Sequence, residues 1–147
     1  MKEFVISENK SFTAMEYNPI VGKCFFFCPT SMGNKAIKTV KVGISCCGGY
    51  FGSSIVDFRR DAIRDFSKDV KSLYDTLNGT AVLKSNGGKT HITFQACWNG
   101  HIKIYGELSY SEQEEEYPLM LSFVEDFDQT MLKGFAETLY QEYGNNN

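Results

Sequence analysis

Two histidines, His91 and His101, are the residues of this chain best suited to general acid–base chemistry, because imidazole titrates near neutral pH. An activated nucleophile needs such a base within hydrogen-bonding reach. No serine or cysteine motif accompanies either histidine, and His91 falls on the polar side of an alternating pattern. We therefore expect exposed cross-strand histidines in a protein that is not an enzyme. A weak metal or ligand site at the histidines is the alternative.

Cysteines could bind a metal or take part in redox chemistry. They are Cys24, Cys28, Cys46, Cys47 and Cys97. An odd number without a secretory signal favours reduced thiols over a disulfide framework. Structural zinc loops usually present CxxC-type pairs near turns, whereas "CFFFC" (24–28) is typical of a strand with both sulfurs on one face. We expect buried structural thiols and no metal or other cofactor; zinc binding and redox chemistry are the alternatives.

Two short segments share residues with ligand-binding loops. The glycines of "CCGGYFGSS" (46–54) lead into a predicted strand, whereas a phosphate cradle needs a following lysine or a helix N-terminus. "DFDQT" (126–130) has carboxylates but lacks the twelve-residue calcium loop with its central glycine. A kinked strand and a helix cap at Asp128 explain these residues better.

Carboxylates are concentrated towards the C-terminus. The segment 112–130, "EQEEEYPLMLSFVEDFDQT", contains seven Asp and Glu residues and no Lys or Arg. Residues 1–103 contain 14 basic and 8 acidic residues, a balance of +6, whereas residues 104–147 contain one lysine and 10 acidic residues, a balance of −9; the total is the net charge of −3. A nucleic-acid binder needs the opposite sign, so direct nucleic-acid binding is not expected.

The charge polarity has two interpretations. In the first, residues 112–116 form a solvated loop, and the asymmetry partly cancels when the strands interleave. In the second, an acidic surface attracts a basic partner and accelerates association. We expect the loop carboxylates to have no structural role. The second interpretation assigns partner binding to Glu112, Glu114, Glu115, Glu116, Glu125 and Asp126.

Strands are predicted throughout the first third of the chain, which is rich in β-branched and aromatic residues. The predicted strands are "EFVIS", "SFTAMEY", "KCFFFC", "IKTVKVGISCC" and "YFGSSIVDF". In "TVKVGISC", apolar residues alternate with polar ones, so this strand should bury one face and expose the other to water. The residues expected on its buried face are Val40, Val42, Ile44 and Cys46.

A helix is predicted over residues 60–77, because apolar residues recur at spacings of three and four. Its apolar stripe consists of Ile63, Phe66, Val70, Leu73 and Leu77. The following Asn78 and Gly79 can adopt the left-handed conformation that ends a helix.

Four further strands are predicted to form a meander: "GTAVLKS", "KTHITFQACW", "HIKIYGELSY" and "PLMLSFVED". The "NG" at 99–100 predicts a type I′ hairpin turn, in which both central residues have positive φ. The residues expected on the buried faces are Ile92, Phe94, Ala96 and Trp98, then Ile102, Ile104 and Leu108, then Leu119, Leu121 and Phe123.

A closing helix is predicted from Asp128, its N-cap, to Tyr143. Its apolar face consists of Leu132, Phe135, Ala136 and Leu139. Together the elements predict a single α+β domain over residues 1–147, in which two helices pack on one face of a mainly antiparallel β-sheet. Its parts are a strand-rich section (1–58), a helix (59–78), a β-meander (79–126) and the closing helix (127–143).

Three segments, "LNGTAVL" (77–83), "GHIKIYGEL" (100–108) and "LSFVEDFDQTMLKGF" (121–135), carry a family resemblance. In these segments the chain resembles the WapI-type immunity proteins of bacterial contact-dependent toxin systems. The likeness covers roughly residues 57–143 and follows the family's order of helix, meander, D-Q-T and closing helix. The resemblance implies a small cytosolic protein that binds and blocks the nuclease domain of a cognate toxin, without catalysis of its own.

The charge distribution and the family resemblance predict the same kind of partner, because a nuclease presents a basic cleft that carboxylates can occupy in competition with phosphate.

No segment approaches the eighteen apolar residues of a membrane helix, and the N-terminus lacks a signal peptide, so a cytoplasmic protein without membrane contact is expected. The alternative function is a small-ligand or metal-binding domain that uses the aromatic and cysteine-rich first third.

Overall fold

The computed structural model describes residues 3–7, 23–46 and 50–145. The elements in chain order are β1 (Phe4–Ser7), β2 (Cys24–Gly33), β3 (Ile37–Cys46), β4 (Tyr50–Arg59), α1 (Arg60–Thr76), β5 (Thr80–Lys84), β6 (His91–Ala96), β7 (His101–Ser109), β8 (Met120–Asp128) and α2 (Gln129–Leu139). A 3₁₀ turn, Trp98–Gly100, joins β6 to β7, and a π-helical turn, Tyr140–Gly144, follows α2.

The strands form two antiparallel sheets, and neighbours along the chain are neighbours in space. Sheet A has the order β1-β2-β3-β4 and sheet B the order β5-β6-β7-β8. The predicted α+β class, with antiparallel strands and two helices, is confirmed. Helix α1 connects β4, the last strand of sheet A, to β5, the first strand of sheet B. The predicted strand "SFTAMEY" (11–17) lies outside the described residues. No helix within the described ranges is long and apolar enough to cross a membrane.

The first helix has the predicted boundaries, but its last turn differs from the prediction. Ile63, Phe66, Val70 and Leu73 are buried. Leu77 is exposed and adopts the left-handed conformation itself (φ 56°, ψ 36°), while its N–H donates to the Leu73 carbonyl at 2.8 Å. Because β5 begins only three residues later, the chain must turn at once, and the turn falls on the last residue of the stripe. Assigning Leu77 to the core was therefore wrong.

The β6–β7 connection confirms the predicted turn, since Asn99 and Gly100 have φ values of 74° and 75°. Two residues near strand ends were assigned wrongly to buried faces. Trp98 is 87% exposed because it follows the end of β6, and Leu119 is 68% exposed because it precedes β8. Alternation along a strand predicts burial only as far as the strand remains paired.

The second helix confirms both its predicted cap and its predicted apolar face. The Asp128 carboxylate accepts a hydrogen bond from the Thr130 backbone N–H at 2.8 Å and another from the Thr130 hydroxyl. These hydrogen bonds hold the pKa of Asp128 below its ordinary value. All four predicted apolar residues of α2 are buried.

One aromatic cluster joins both sheets and both helices. The ring of Phe94, on β6, lies 5.5 Å from Phe25 on β2, 5.3 Å from Phe66 on α1 and 5.5 Å from Phe135 on α2, between ring centroids. These four side chains are almost completely buried. Edge-to-face and offset ring contacts of this kind stabilise beyond the area they bury. Phe94 therefore contacts the other sheet and both helices.

The second face of sheet A is also buried near β2, which corrects the expectation that β3 exposes one face to water. Cys24, Phe26 and Cys28 form a separate buried cluster there. Phe26 lies against Gly43 of β3, where its ring occupies the space that a Cβ atom would need. Gly43 is buried for this reason.

The two halves of the chain repeat the same arrangement of four strands and a helix. The pattern D-F-x₄-[IL]-x₂-F-x₃-[VL]-x₃-Y spans the junction of the last strand and the helix in each half. Its residues are Asp57, Phe58, Ile63, Phe66, Val70 and Tyr74 in the first half, and Asp126, Phe127, Leu132, Phe135, Leu139 and Tyr143 in the second. The phenylalanine and aliphatic positions are buried in both halves. Each helix packs against the first strand of the other sheet, α1 on β5 and α2 on β1.

A contact between β4 and β8 fits this pseudo-symmetry. Gly52 of β4 and Leu121 of β8 are equivalent positions of the two repeats, and the Leu121 side chain occupies the space that a Cβ atom of Gly52 would need. Equivalent residues in mutual contact lie close to a two-fold axis. The repeats differ in the lengths of their connections. Residues 47–49 separate β3 from β4, whereas residues 110–119 separate β7 from β8; residues 8–23 separate β1 from β2, whereas residues 85–90 separate β5 from β6.

Candidate protein-binding surface

The six predicted partner-binding residues lie in two places. Glu112, Glu114, Glu115 and Glu116 are on the β7–β8 loop, and Glu125 and Asp126 are near the far end of β8. At about 3.4 Å per residue, the six residues from the start of β8 to Asp126 span about 20 Å. The structure therefore does not bring the two groups together, because they occupy opposite ends of one extended strand.

Glu112 anchors the loop to the turn between β5 and β6. Its carboxylate accepts hydrogen bonds from the Ser85 hydroxyl at 2.9 Å and from the Lys89 backbone N–H at 3.0 Å. It also lies against Gly87, where a Cβ atom would contact the Glu112 carboxylate and displace it. The expectation that Glu112 has no structural role was wrong, because a loop carboxylate close to free backbone and hydroxyl donors is held by them.

The network behind this anchor continues into sheet B. The Ser85 hydroxyl accepts a hydrogen bond from the Thr90 N–H at 3.0 Å, and the Thr90 hydroxyl accepts one from the Ser109 N–H at 2.9 Å. At the base of the loop, the Tyr110 N–H donates to the Leu119 carbonyl at 2.9 Å. Both ends of the loop are thus fixed to the sheet.

The remaining loop carboxylates extend into solvent. Glu114 is 97% exposed, and its carboxylate lies 3.7 Å from the Lys89 ammonium group, which is a weak exposed contact. Within the described residues, no hydrogen bond or ion pair involves the carboxylates of Glu115 or Glu116. We call Glu114, Glu115 and Glu116 the acidic loop; within the described residues, Glu115 and Glu116 have no ion pair and Glu114 has only this weak one.

Exposed apolar side chains surround the acidic loop. We call Ile55, Tyr110, Tyr117, Leu119 and Met120 the apolar surface; all five are exposed, with Tyr117 at 82%. They line a groove of about 580 Å³ between β4 and β8 and a smaller cavity of about 290 Å³ beside the loop, which Glu115 also lines. Neighbouring exposed apolar side chains of this size mark protein–protein contact surfaces.

The second acidic group has local partners. The Asp126 carboxylate lies 2.7 Å from the His101 Nδ1 atom, and Lys103 is its cross-strand neighbour. Glu125 is half-buried and Asp128 caps α2. This end of β8 offers less uncompensated negative charge than the acidic loop.

The histidines lie in hydrogen-bonded pairs on the outer face of sheet B. The His91 Nε2 atom is 3.0 Å from the Glu107 Oε1 atom, and the Ser122 hydroxyl donates to the other carboxylate oxygen at 3.3 Å. In a nucleophile–base pair, the hydroxyl would contact the imidazole instead. The geometry of this trio is therefore that of a cross-strand polar network.

The cysteines of β2 have the orientation predicted from "CFFFC". Cys24 and Cys28 are both buried on the outer face of sheet A and are not disulfide-bonded. Burial raises the pKa of each thiol to about 12, so both are protonated at neutral pH. Within the described ranges, no three His, Cys, Asp or Glu side chains form a group that could hold a metal ion. Cys47 lies outside these ranges.

Sequence reasoning missed two features of this surface. The exposed apolar surface was not predicted, and Leu119 was assigned to a buried strand face, because the start of β8 cannot be located from alternation alone. The repeat was also missed, although its D-F-x₄-[IL]-x₂-F pattern is present in the sequence. Aligning the two halves of the sequence would have shown that the β7–β8 connection is longer than the equivalent β3–β4 connection.

Comparison with protein-family models, with curated proteins and with solved structures found no match to this chain.

Replacing Glu112 by alanine is expected to release the loop without unfolding the sheets, because only hydrogen bonds to one carboxylate are lost. Each such bond to a charged group contributes about 1.5 to 3 kcal/mol, so local opening should increase at least about tenfold. Chymotrypsin cleavage after the exposed Tyr110, at the start of the loop, measures this opening, because the bond after Tyr117 precedes Pro118 and is resistant. Glu115→Ala is the matched control, and equal cleavage rates in the two variants would show that Glu112 does not hold the loop.

Proposed function

We propose that this protein binds and neutralises the nuclease domain of a cognate toxin in the bacterial cytoplasm, in the manner of the WapI-type immunity proteins that its sequence resembles. Inhibition requires binding alone, without catalysis or a cofactor. The observation that carries the proposal is the position of the acidic loop, with its exposed carboxylates, directly beside the exposed apolar surface.

Charge supports a basic partner. A nuclease must attract the phosphates of its substrate, so its cleft carries lysine and arginine side chains. Glu114, Glu115 and Glu116 present three adjacent carboxylates that can pair with such side chains in place of phosphate. Complementary potentials also accelerate encounter, which matters when an inhibitor must bind before its target cleaves nucleic acid.

The apolar surface supports a protein partner over a free cation or a small basic molecule. Tyrosine is among the residues that contribute most to binding at protein interfaces, and methionine is enriched there relative to the rest of the surface. Tyr110, Tyr117 and Leu119 are exposed together within the β7–β8 loop. In the proposed complex they form the contact that excludes water, and the carboxylates form its charged rim.

The repeat gives an independent reason to assign binding to this loop. Ten residues, 110–119, connect β7 to β8, while three, 47–49, connect the equivalent strands β3 and β4. Hairpin loops commonly have two to five residues, so the fold itself does not require the longer connection. Extra length in one loop on a rigid sheet is typical of a binding loop.

We expect a gene beside this chain's gene to encode the toxin, and the test is inhibition of that toxin's nuclease domain by the purified protein. We expect nuclease activity to fall in proportion to the added protein and to vanish near an equimolar ratio, and we expect the association rate to fall as salt rises. Unchanged nuclease activity at a large excess of inhibitor would reject the proposed function. An association rate independent of salt would reject the role assigned to the acidic loop.

A further inference from the structure

The outer face of sheet B, which points away from the aromatic cluster, carries a straight row of four residues across all its strands. The strand registers place Val82 beside Thr93, Thr93 beside Tyr105, and Tyr105 beside Val124. Val82 and Val124 at the two ends of the row are 47% and 63% exposed. We call these four residues the central row.

Polar rows flank the central row on both sides. One row consists of Lys84, His91, Glu107 and Ser122, and the other of Thr80, Gln95, Lys103 and Asp126. The two rows together contain two lysines and two carboxylates. Unlike the acidic loop, this face is balanced in charge, so it does not select a basic partner.

The arrangement on β7 is self-complementary. Its outward side chains are Lys103, Tyr105 and Glu107 in succession, and the Lys103 ammonium group lies 5.6 Å from the centre of the Tyr105 ring. Consider a two-fold axis that runs parallel to the central row, between two stacked copies of the sheet. Rotation about this axis brings the outer face of the second copy against the first, with each strand opposite its own equivalent and running in the reverse direction. Tyr105 would then face Tyr105 of the second copy, and Lys103 would face Glu107 of the second copy, twice by symmetry.

The other strands have the same property. On β8, Ser122 would face Asp126 of the second copy, which pairs a hydroxyl donor with a carboxylate acceptor. On β6, His91 would face Gln95 of the second copy. No like charges meet anywhere on the face, which is a demanding condition for two identical surfaces.

We propose that a second copy of this chain packs against this face, so that two B sheets stack about 10 Å apart with the central rows in contact. The contact uses neither the acidic loop nor the apolar surface, and the proposal is independent of the nuclease. Four strands about 4.8 Å apart give on the order of 400 Å² per copy, about half of a standard interface. The dimer therefore forms and dissociates with concentration.

Sedimentation velocity from about 10 µM to about 1 mM tests this, since a small interface dissociates within that range. We expect the average mass of the wild type to rise towards that of a dimer. Lys103→Glu and Glu107→Lys should each stay monomeric, because each creates two like-charge pairs. A mixture of the two variants, and the double variant Lys103→Glu/Glu107→Lys, should dimerise again.

Replacing Glu107 also removes its contacts with His91 and Ser122. A further variant that leaves these contacts in place is therefore needed. Val124→Glu changes an exposed side chain of the central row, and it should also keep the chain monomeric with an unchanged circular dichroism spectrum. A wild type that stays monomeric up to about 1 mM would overturn the proposal. So would folded single variants that dimerise like the wild type, or a mixture that fails to restore dimers.

Discussion

Changing Glu114, Glu115 and Glu116 together to lysine is expected to abolish protection against the cognate toxin while the protein stays folded. These side chains are exposed and make no structural contact comparable to that of Glu112. Exposed substitutions usually shift stability by no more than about 0.5 kcal/mol each. The reversal converts attraction of a basic cleft into repulsion, and electrostatic steering changes association rates by about 10-fold to 1,000-fold. We expect association at low salt to slow by at least about tenfold.

A matched control separates local charge from net charge. Asp65, Asp69 and Asp75 lie on exposed positions of α1, away from the acidic loop, and their replacement by lysine changes the net charge by the same amount. This control should inhibit the nuclease nearly as well as the wild type. Stopped-flow association at several salt concentrations distinguishes the two variants. If both slow association equally, net charge alone acts; if the loop variant still protects, the acidic loop is only a solvated rim.

Replacing Phe94 by alanine is expected to have the largest effect on stability. Phe94 is completely buried and contacts Phe25, Phe66 and Phe135, so the change leaves a cavity where both sheets and both helices meet. Large-to-small substitutions of buried aromatic residues cost about 3 to 5 kcal/mol. This is a large fraction of the roughly 5 to 15 kcal/mol that stabilises a typical domain. Urea denaturation followed by far-UV circular dichroism measures the change in the free energy of unfolding.

Trp98→Ala is the control, since it removes a larger side chain from an exposed turn. If burial determines the cost, Trp98→Ala should change the free energy of unfolding by no more than about 0.5 kcal/mol. A cost below about 1 kcal/mol for Phe94→Ala would contradict its position at the centre of the core. Together the two variants show whether burial or side-chain size determines the loss of stability.

Most secondary structure was predictable because its causes are local. The three- and four-residue spacing from Ile63 to Leu73 requires a helical stripe whatever lies opposite it. Asp128 caps α2 through a residue two positions away, and the turn at Asn99 and Gly100 depends on the φ values these residues accept. Errors occurred at Leu77, Trp98 and Leu119, where an element ends, because the end depends on where pairing or packing stops.

The candidate surface was only partly predictable, because a sequence shows which residues are charged but not which residues lie beside them in space. The sequence shows that residues 112–130 are acidic. It does not show that Glu112 contacts Ser85 and Lys89, or that Asp126 lies beside His101 at the other end of the strand. Those contacts join residues far apart in the chain, and strand registers decide them.

The sequence by itself determined the α+β class, the two helices with their buried faces, and the concentration of negative charge near the C-terminus, because periodicity, capping and composition are local properties. Only the tertiary structure decided that the strands form two sheets, that each helix packs on the first strand of the other sheet, and that the acidic residues separate into two groups. The physical reason is that burial and hydrogen bonding between distant segments determine these arrangements. Phe94 shows the difference: its burial follows from alternation along β6, but its three aromatic neighbours come from three other elements.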